Sequence, residues 1–334
     1  MKNLVIISND KLYFDKDRVF AEFNDTINII EGLSKSNYLN FISRKSKKRG
    51  NHKALIKNMV KIKISEIKNF DFKNKKIFMI SITPFNFLML IIINIFHKNI
   101  TGFVLLRSDG FKEYFLKYGF LSKKLYSIFF NKILNKLKPI VVSDSLQNIK
   151  PFSYLKIHPS EITPIWKKNI KKPNLSKARL LYVGRIKKEK GIFSLIKLID
   201  DFSIDYNLSI VGGIKTLTNN NKIKFIDETS NIKKIIQFYD NNNIFILPSY
   251  TEGSPKVILE SLSRLRPVIV FDEIMHVKKK LKGIFVTKRN GKTLQKTIIY
   301  ILKNYKKIQI EMKNNIIPTK KNFQERLITI VNEY

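Results

Sequence analysis

The sequence predicts an α/β protein of two Rossmann-like domains, each a parallel sheet covered on both faces, with the two sheets facing each other across a cleft. Three observations predict it. The chain has 334 residues, beyond the size at which one core usually keeps growing, so two domains are expected. Short apolar runs without polar alternation recur between segments of helical period, the pattern of strands buried on both faces. A polar, basic stretch, KKNIKKPNLSKA at 167–178, divides the runs into two series and reads as a linker.

The first series fills residues 1–166 and opens with LVIIS at 4–8. The apolar run there is about five residues long, too short for a signal-peptide core. YLNFIS at 38–43 is the second strand, and SRKSKKRGNHKALIKNMVKIKI at 43–64 then concentrates positive charge around a few apolar residues. That segment reads either as a solvated loop or as a surface docking on an anionic leaflet, where each lysine or arginine contributes about 1 kcal/mol. IFMISI at 77–82 and GFVLL at 102–106 enclose a very apolar helix. Pro84, Asn86, Asn94 and His97-Lys98-Asn99 interrupt it, so no comfortable membrane span remains. PIVVS at 139–143 ends the series.

The second domain, 179–318, contains RLLYVG (179–184), NLSIVGG (207–213), KIKFI (222–226), NIFILPS (243–249), PVIVF (267–271) and GIFVT (283–287). TKKNFQERLITIVNEY at 319–334 has helical spacing at Phe323, Leu327 and Ile330 and is expected to be a closing helix, packing back toward the N-terminal domain.

Two segments of the second domain carry chemistry. After NIFILPS, the stretch SYTEGSPKVILESL at 249–262 holds Glu252 and Glu260 around a Gly-Ser-Pro corner. Ser254 as cap and Pro255 as first helical residue predict a helix start there. Ile258, Leu262 and Leu265 then form its buried stripe, and Glu260 points away from it. Both carboxylates can look beyond the strand's carboxyl end, where open α/β sheets bind ligands and a helix start attracts anions. A solvent-exposed helix start, with Glu260 paired to Lys256, is the competing reading. The second segment, LLYVGRIKKEKGIFSLIKLI at 180–199, is strand, turn and helix, with Gly184 and Gly191 bracketing a loop that begins at Arg185 and ends at Lys190. Arginine offers a fork to phosphate oxygens and lysine a point charge, so the two could neutralise a departing diphosphate.

Taken together, G-R-x4-K-G after a strand (Gly184, Arg185, Lys190, Gly191), the turn IVGG at 210–213, and E-x7-E as Glu252 and Glu260 resemble the donor domain of glycosyltransferase family 4, the retaining enzymes of GT-B fold. The resemblance covers roughly residues 178–290. It implies a nucleotide-sugar donor and a saccharide or lipid-linked acceptor, in cell-surface polysaccharide or lipopolysaccharide synthesis. Arg185 and Lys190 would grip the donor diphosphate with the backbone of Gly253, Ser254, Pro255 and Lys256 around them, every one of these but the proline offering an N–H. Glu252 would hold sugar hydroxyls and Glu260 the ribose, while Gly212, Gly213 and the segment from Ile226 to Glu228 would approach the nucleotide. Such enzymes generally need neither metal nor cofactor.

The chain also departs from that pattern. The first strand is followed by SNDKLYFDKD rather than a glycine-rich loop, no histidine follows a strand in the first domain, and Leu265 stands where the family commonly has glycine. In LLRSDGFKEY at 105–114, Asp109 is the substitute candidate, to touch the sugar or orient the acceptor hydroxyl; it could equally cap the helix before Phe111.

Composition sets the remaining bounds. There is no cysteine, which excludes disulfides, thiolate zinc sites and thiol nucleophiles and fits a reducing, cytoplasmic setting, with peripheral contact to the inner membrane face expected. His52, His97, His158 and His276 lack ligand spacing, so no metal is expected. The net charge of +37 fits polyanionic partners, but Lys, Asn and Ile are what an AT-rich genome favours, and compositional drift is the other reading. A nucleic-acid-binding protein would require a basic face with stacking aromatics; the aromatics here fall mostly within strands and helices, so no nucleic acid is expected. A GT-B sugar-nucleotide epimerase, the alternative within the fold, lacks suitably placed histidine and acid pairs.

Overall fold

The computed structural model describes residues 2–57, 59–142, 149–213 and 220–334. They form two α/β units, Met1–Pro159 with Lys320–Tyr334, and Ser160–Thr319. Ser143, the last residue of the expected strand at 139–143, lies outside the described residues.

The first unit contains β1 (Lys2–Asp15), β2 (Arg18–Ala21), α1 (Asn24–Ser34), β3 (Asn37–Lys45), β4 (His52–Leu55), β5 (Val60–Lys61), β6 (Lys76–Ile80), α2 (Pro84–Phe96), β7 (Gly102–Leu106), α3 (Gly110–Tyr118), α4 (Phe120–Leu134), β8 (Lys138–Val141) and β9 (Leu155–Lys156). A parallel path runs β5, β3, β1, β6, β7, β8, β9. The first strand does not stop at Ser8. It passes a register shift between Ser8 and Lys11 and continues as one edge of a hairpin with β2, on which β4 adds antiparallel. A bulge of this kind lets one strand serve two pairings. Segment 43–64 is therefore not simply a loop, because β4 and β5 fall within it.

Alternation along β1 assigns its residues to two faces. Leu4 and Ile6 pack with Ile27, Ile30 and Leu33 of α1, and with Phe323 and Leu327 of the closing helix. Val5 and Ile7 pack with Met89 and Ile93 of α2 and with Phe129 and Ile133 of α4.

The second unit contains β10 (Ala178–Val183), α5 (Ile192–Ile199), β11 (Tyr206–Val211), β12 (Ile223–Ile226), α6 (Ile232–Asn241), β13 (Ile244–Leu247), α7 (Lys256–Ser263), β14 (Val268–Phe271), β15 (Ile284–Thr287), α8 (Gly291–Lys303) and α9 (Tyr305–Lys313); α10 (Lys320–Glu333) then closes the first unit. Its sheet is wholly parallel in the order β12-β11-β10-β13-β14-β15. From β10 the chain moves outward to β11 and β12, then returns to add β13 on the opposite side. The switch point thus lies between β10 and β13, where doubly wound sheets place ligands.

The stretch expected as a linker is tied to this unit by two buried arginines. Arg264 donates from Nε and Nη2 to the Asp240 carboxylate at 3.0 and 2.7 Å, and to the carbonyls of Trp166, Lys168 and Asn169. Arg266 donates to the carbonyls of Tyr239, Asn242 and Lys171. Every N–H of Arg264 has an acceptor, which is what lets so large a cation sit fully buried.

Candidate active site

The two motifs follow the two strands that flank the switch point. G-R-x4-K-G leaves β10 and E-x7-E leaves β13, so both loops lie at the carboxyl edge of the sheet. Glycine at two positions makes their close approach possible. A Cβ on Gly191, whose φ is +67°, would stand 1.9 Å from the carbonyl oxygen of Pro248, and one on Gly212 would stand 2.1 Å from that of Gly184. Gly212 and Gly213 also donate to the Ile226 carbonyl at 3.1 and 3.4 Å, and Gly213 lies beside the Glu228 side chain. Three loops therefore meet backbone to backbone.

The motif side chains also meet. Lys190 Nζ donates to Glu252 Oε1 at 2.7 Å, across 62 residues of sequence, with the two side chains 20% and 12% exposed. Ser249 Oγ donates to the same oxygen at 2.7 Å, so Oε2 accepts no hydrogen bond from the described residues and can take one from a hydroxyl. The carbonyl of Glu252 lies 3.0 Å from His276 Nε2, which must carry a proton to donate there. Tyr182, beneath the first loop, donates to the Arg185 carbonyl at 2.9 Å and leaves the Arg185 side chain exposed at the sheet edge. Burial, and next the negative charge of Glu252, push the Tyr182 hydroxyl well above its ordinary range, so it stays a donor.

Glu260 has a different environment. Its carboxyl is enclosed although the residue keeps some surface, and it accepts from the Tyr239 hydroxyl at 2.8 Å. Burial raises its pKa; the Tyr239 hydrogen bond and the charge of Lys256 oppose the shift without cancelling it. The competing reading of a Lys256–Glu260 pair does not hold, because the Lys256 ammonium is bonded to Glu161. The helix start also differs from expectation. Pro255 is the cap, in an extended conformation, α7 begins at Lys256, and Ser254 makes no capping bond. Gly253 is buried at the corner preceding it.

Asp109 belongs to the first unit and caps α3, accepting from the Lys112 amide at 3.2 Å. The capping reading describes its observed bond. The carboxyl edge of that unit's sheet instead presents Arg107, which donates to Ser81 Oγ at 2.8 Å and lies 3.8 Å from Asp10, itself bonded to Thr26.

Sequence reasoning missed Ser249, His276, Tyr239 and Arg289. Arg289 donates to the Pro248 carbonyl at 2.9 Å and to Glu273 at 2.6 Å, and its guanidinium lies over the rings of Tyr250 and Phe271 at 4.1 and 4.3 Å. It thereby braces the turn that carries Glu252. Ser249 stands in the quoted glutamate stretch, three residues before the carboxylate it supports, and was open to notice. The other three lie on elements with no local signal. Among the described residues no three or more His, Asp or Glu side chains cluster as a metal site.

Two α/β units, one on a mainly parallel sheet and one on a wholly parallel sheet with both motifs at its switch point, are the components of a GT-B fold. Residues 166–322 match the family described as glycosyl transferases group 1, so the second unit is a group 1 glycosyltransferase domain of GT-B type. The chain is 34% identical over 99 residues to the capsular polysaccharide biosynthesis glycosyltransferase CapM of Staphylococcus aureus, covering 26% of each protein. It is 23% identical over 207 residues to N,N'-diacetylbacillosaminyl-diphospho-undecaprenol alpha-1,3-N-acetylgalactosaminyltransferase of Campylobacter jejuni, covering 58% of this chain and 53% of that one. The aligned segments span about a quarter of the length of the first curated relatives matched. HepE from Anabaena, solved in complex with UDP and glucose, shares the fold at a TM-score of 0.68 and 11% identity, covering 100% of this chain and 99% of that one.

Proposed function

We propose that this chain is a retaining glycosyltransferase that moves a sugar from a nucleotide-diphosphate donor to a saccharide or lipid-linked acceptor, in cell-surface polysaccharide or lipopolysaccharide synthesis. The observation that carries the reading is the Lys190–Glu252 ion pair, which joins the two motifs of the resemblance at the switch point of the sheet. The names of the capsular and undecaprenol-linked relatives support the acceptor class, and the HepE complex makes UDP the first nucleotide to try. The work would take place in the cytoplasm, at the inner face of the membrane.

In this reading the bond from the anomeric carbon to the diphosphate oxygen breaks and a bond to the acceptor oxygen forms on the same face, with the acceptor's proton leaving on the departing diphosphate. Negative charge grows on the phosphate and positive character on the sugar. Lys190 and Arg185 stabilise the first, and fixed charges aimed at developing charge are usually the largest catalytic contribution. Glu252, held by Lys190 and Ser249, turns its free oxygen to the sugar hydroxyls. Glu260, fixed by Tyr239, receives the ribose, and the chemistry needs no metal.

The test is a thermal-shift panel of UDP, GDP, ADP and their sugar conjugates in EDTA, on wild type and Glu260→Ala. One nucleotide family should raise Tm, since a ligand at 100 Kd stabilises by about 2.7 kcal/mol, and Glu260→Ala should abolish the rise. No shift from any nucleotide at millimolar concentration would overturn the proposal.

A further inference from the structure

The solvent sides of α2 and α4 are apolar. Surface helices normally keep one apolar stripe for the core and a polar opposite face. In α4 the core side is Tyr126, Phe129, Phe130 and Ile133. Leu121, Leu125 and Ile128, spaced i, i+4, i+7, lie exposed on the other side, Leu121 at 79%. Its neighbour α2, stacked against it through Phe87 and Phe129 at 4.4 Å, does the same with Leu88, Ile91 and Ile95, the last 68% exposed. Both helices cover the same face of the sheet, so both stripes point away from it on one side of the unit. No described helix is long and apolar enough to cross a membrane, so these faces are not parts of a span.

The charge around the stripes says what covers them. Residues 112–136 hold six lysines and a single acid, Glu113, which pairs with Lys117. Lys123, Lys124 and Lys132 are exposed, and among the described residues none of them is in an ion pair; the Lys124 ammonium lies over the Phe120 ring at 5.0 Å. A second copy of this face would bring lysines against lysines, a repulsive arrangement. A nucleic acid would match the lysines but leave the leucines and isoleucines without partners. An anionic bilayer satisfies both, because side chains of this kind enter the boundary between headgroups and acyl chains while lysines meet the lipid phosphates.

We infer that the outer faces of α2 and α4 form a docking surface that lies on an anionic lipid bilayer. This places the membrane contact on two neighbouring helices rather than on 43–64, where strands occupy part of the segment. The inference is independent of the donor reading, since its test uses no nucleotide and no sugar.

The experiment is flotation of the full chain with phosphatidylcholine vesicles containing 0 or 30 mol% phosphatidylglycerol. Wild type should partition onto the anionic vesicles, and more weakly in high salt. The triple variant Lys123→Gln, Lys124→Gln, Lys132→Gln should lose affinity on the order of a hundredfold, at about fivefold per cation. Leu121→Ser, Leu125→Ser, Ile128→Ser should lose at least about tenfold while still unfolding cooperatively, because these side chains are 79%, 48% and 51% exposed and stand outside the buried core. Lys47→Gln, Lys48→Gln, Arg49→Gln should stay within about threefold of wild type. Equal partitioning of the leucine–isoleucine variant and wild type would overturn the inference, as would binding that ignores phosphatidylglycerol or a larger loss in the 47–49 variant. A wild-type dimer that the leucine–isoleucine variant makes monomeric would overturn it in favour of a second copy.

Discussion

Removing the ammonium of Lys190 should affect folding and turnover by amounts the geometry allows to be separated. Its bond to Glu252 is 2.7 Å long, in the range of charge-assisted hydrogen bonds, whose net worth is about 1.5–3 kcal/mol. The side chains retain 20% and 12% exposure, so water screens part of that and a coupling near the lower end, about 1.5 kcal/mol, is expected. In the working enzyme the same cation faces the charge that grows on the leaving diphosphate, and loss of one such group costs about 10²–10³-fold in kcat. The assay is a double-mutant cycle of Lys190→Met, Glu252→Gln and their combination, followed by urea unfolding and by transfer from the donor that the thermal-shift panel selects. Residues acting as one unit are non-additive, so the double variant should turn over no more slowly than the worse single one. A coupling below about 0.5 kcal/mol, with every variant within tenfold of wild-type kcat, would refute the reasoning.

Three further outcomes follow from the same geometry. Gly191→Ala forces a Cβ to within 1.9 Å of the Pro248 carbonyl from a left-handed backbone; urea unfolding should show a loss of about 2 kcal/mol or more, and the donor-induced Tm rise should shrink. Arg264→Ala strips Asp240 of its bidentate partner in the interior and should cost about 3–5 kcal/mol, with fluorescence of Trp166, the only tryptophan, shifting to the red as its carbonyl is released. Glu260 binds its proton more tightly folded than unfolded, so its contribution to stability is most favourable below the ordinary glutamate pKa and falls as pH rises through the window up to the raised value. Glu260→Gln should therefore gain stability relative to wild type as pH climbs through that window; a difference independent of pH in chemical unfolding would contradict the burial argument.

Much of this architecture was legible because parallel strands buried on both faces leave continuous apolar runs. IFIL of β13 and VIVF of β14 can be read directly. What escaped were edge pieces too short to carry a pattern, such as β5 at two residues, and the continuation of β1 beyond Ser8, where the bulge breaks the alternation. Within the site, residues contributed by the loops after β10 and β13 were visible because glycine and charge stand at fixed spacings. Tyr239 and Arg289 were not, since one reaches the site from helix α6 and the other from the connection between β15 and α8, and neither segment's own sequence marks it out. Leu265 lies between these cases. Glycine is expected there, and the reason is now physical: its φ is +53°, and the Arg266 amide bonds back to the Ser261 carbonyl at 2.9 Å while that of Leu265 bonds to Leu262 at 3.0 Å. That is a Schellman closure made with leucine in the left-handed position. Its backbone penalty of about 1–2 kcal/mol is opposed by packing of the leucine against the core.

The two glutamates of one motif are held for different reasons. Glu252 is an ionised partner, fixed by an ammonium and a hydroxyl on one oxygen and left with the other. Glu260 is partly buried, accepts from a tyrosine hydroxyl, and has its pKa raised by burial. The second glutamate has two supports from adjacent residues at the end of α6: Tyr239 holds Glu260 itself, and Asp240 holds Arg264, which fixes the end of the helix on which Glu260 sits. A change at Asp240 should therefore reach the donor site through α7 without touching it. For that reason Asp240→Asn is expected to lower donor-induced stabilisation as well as fold stability, whereas a purely structural arginine clamp would lower only the second.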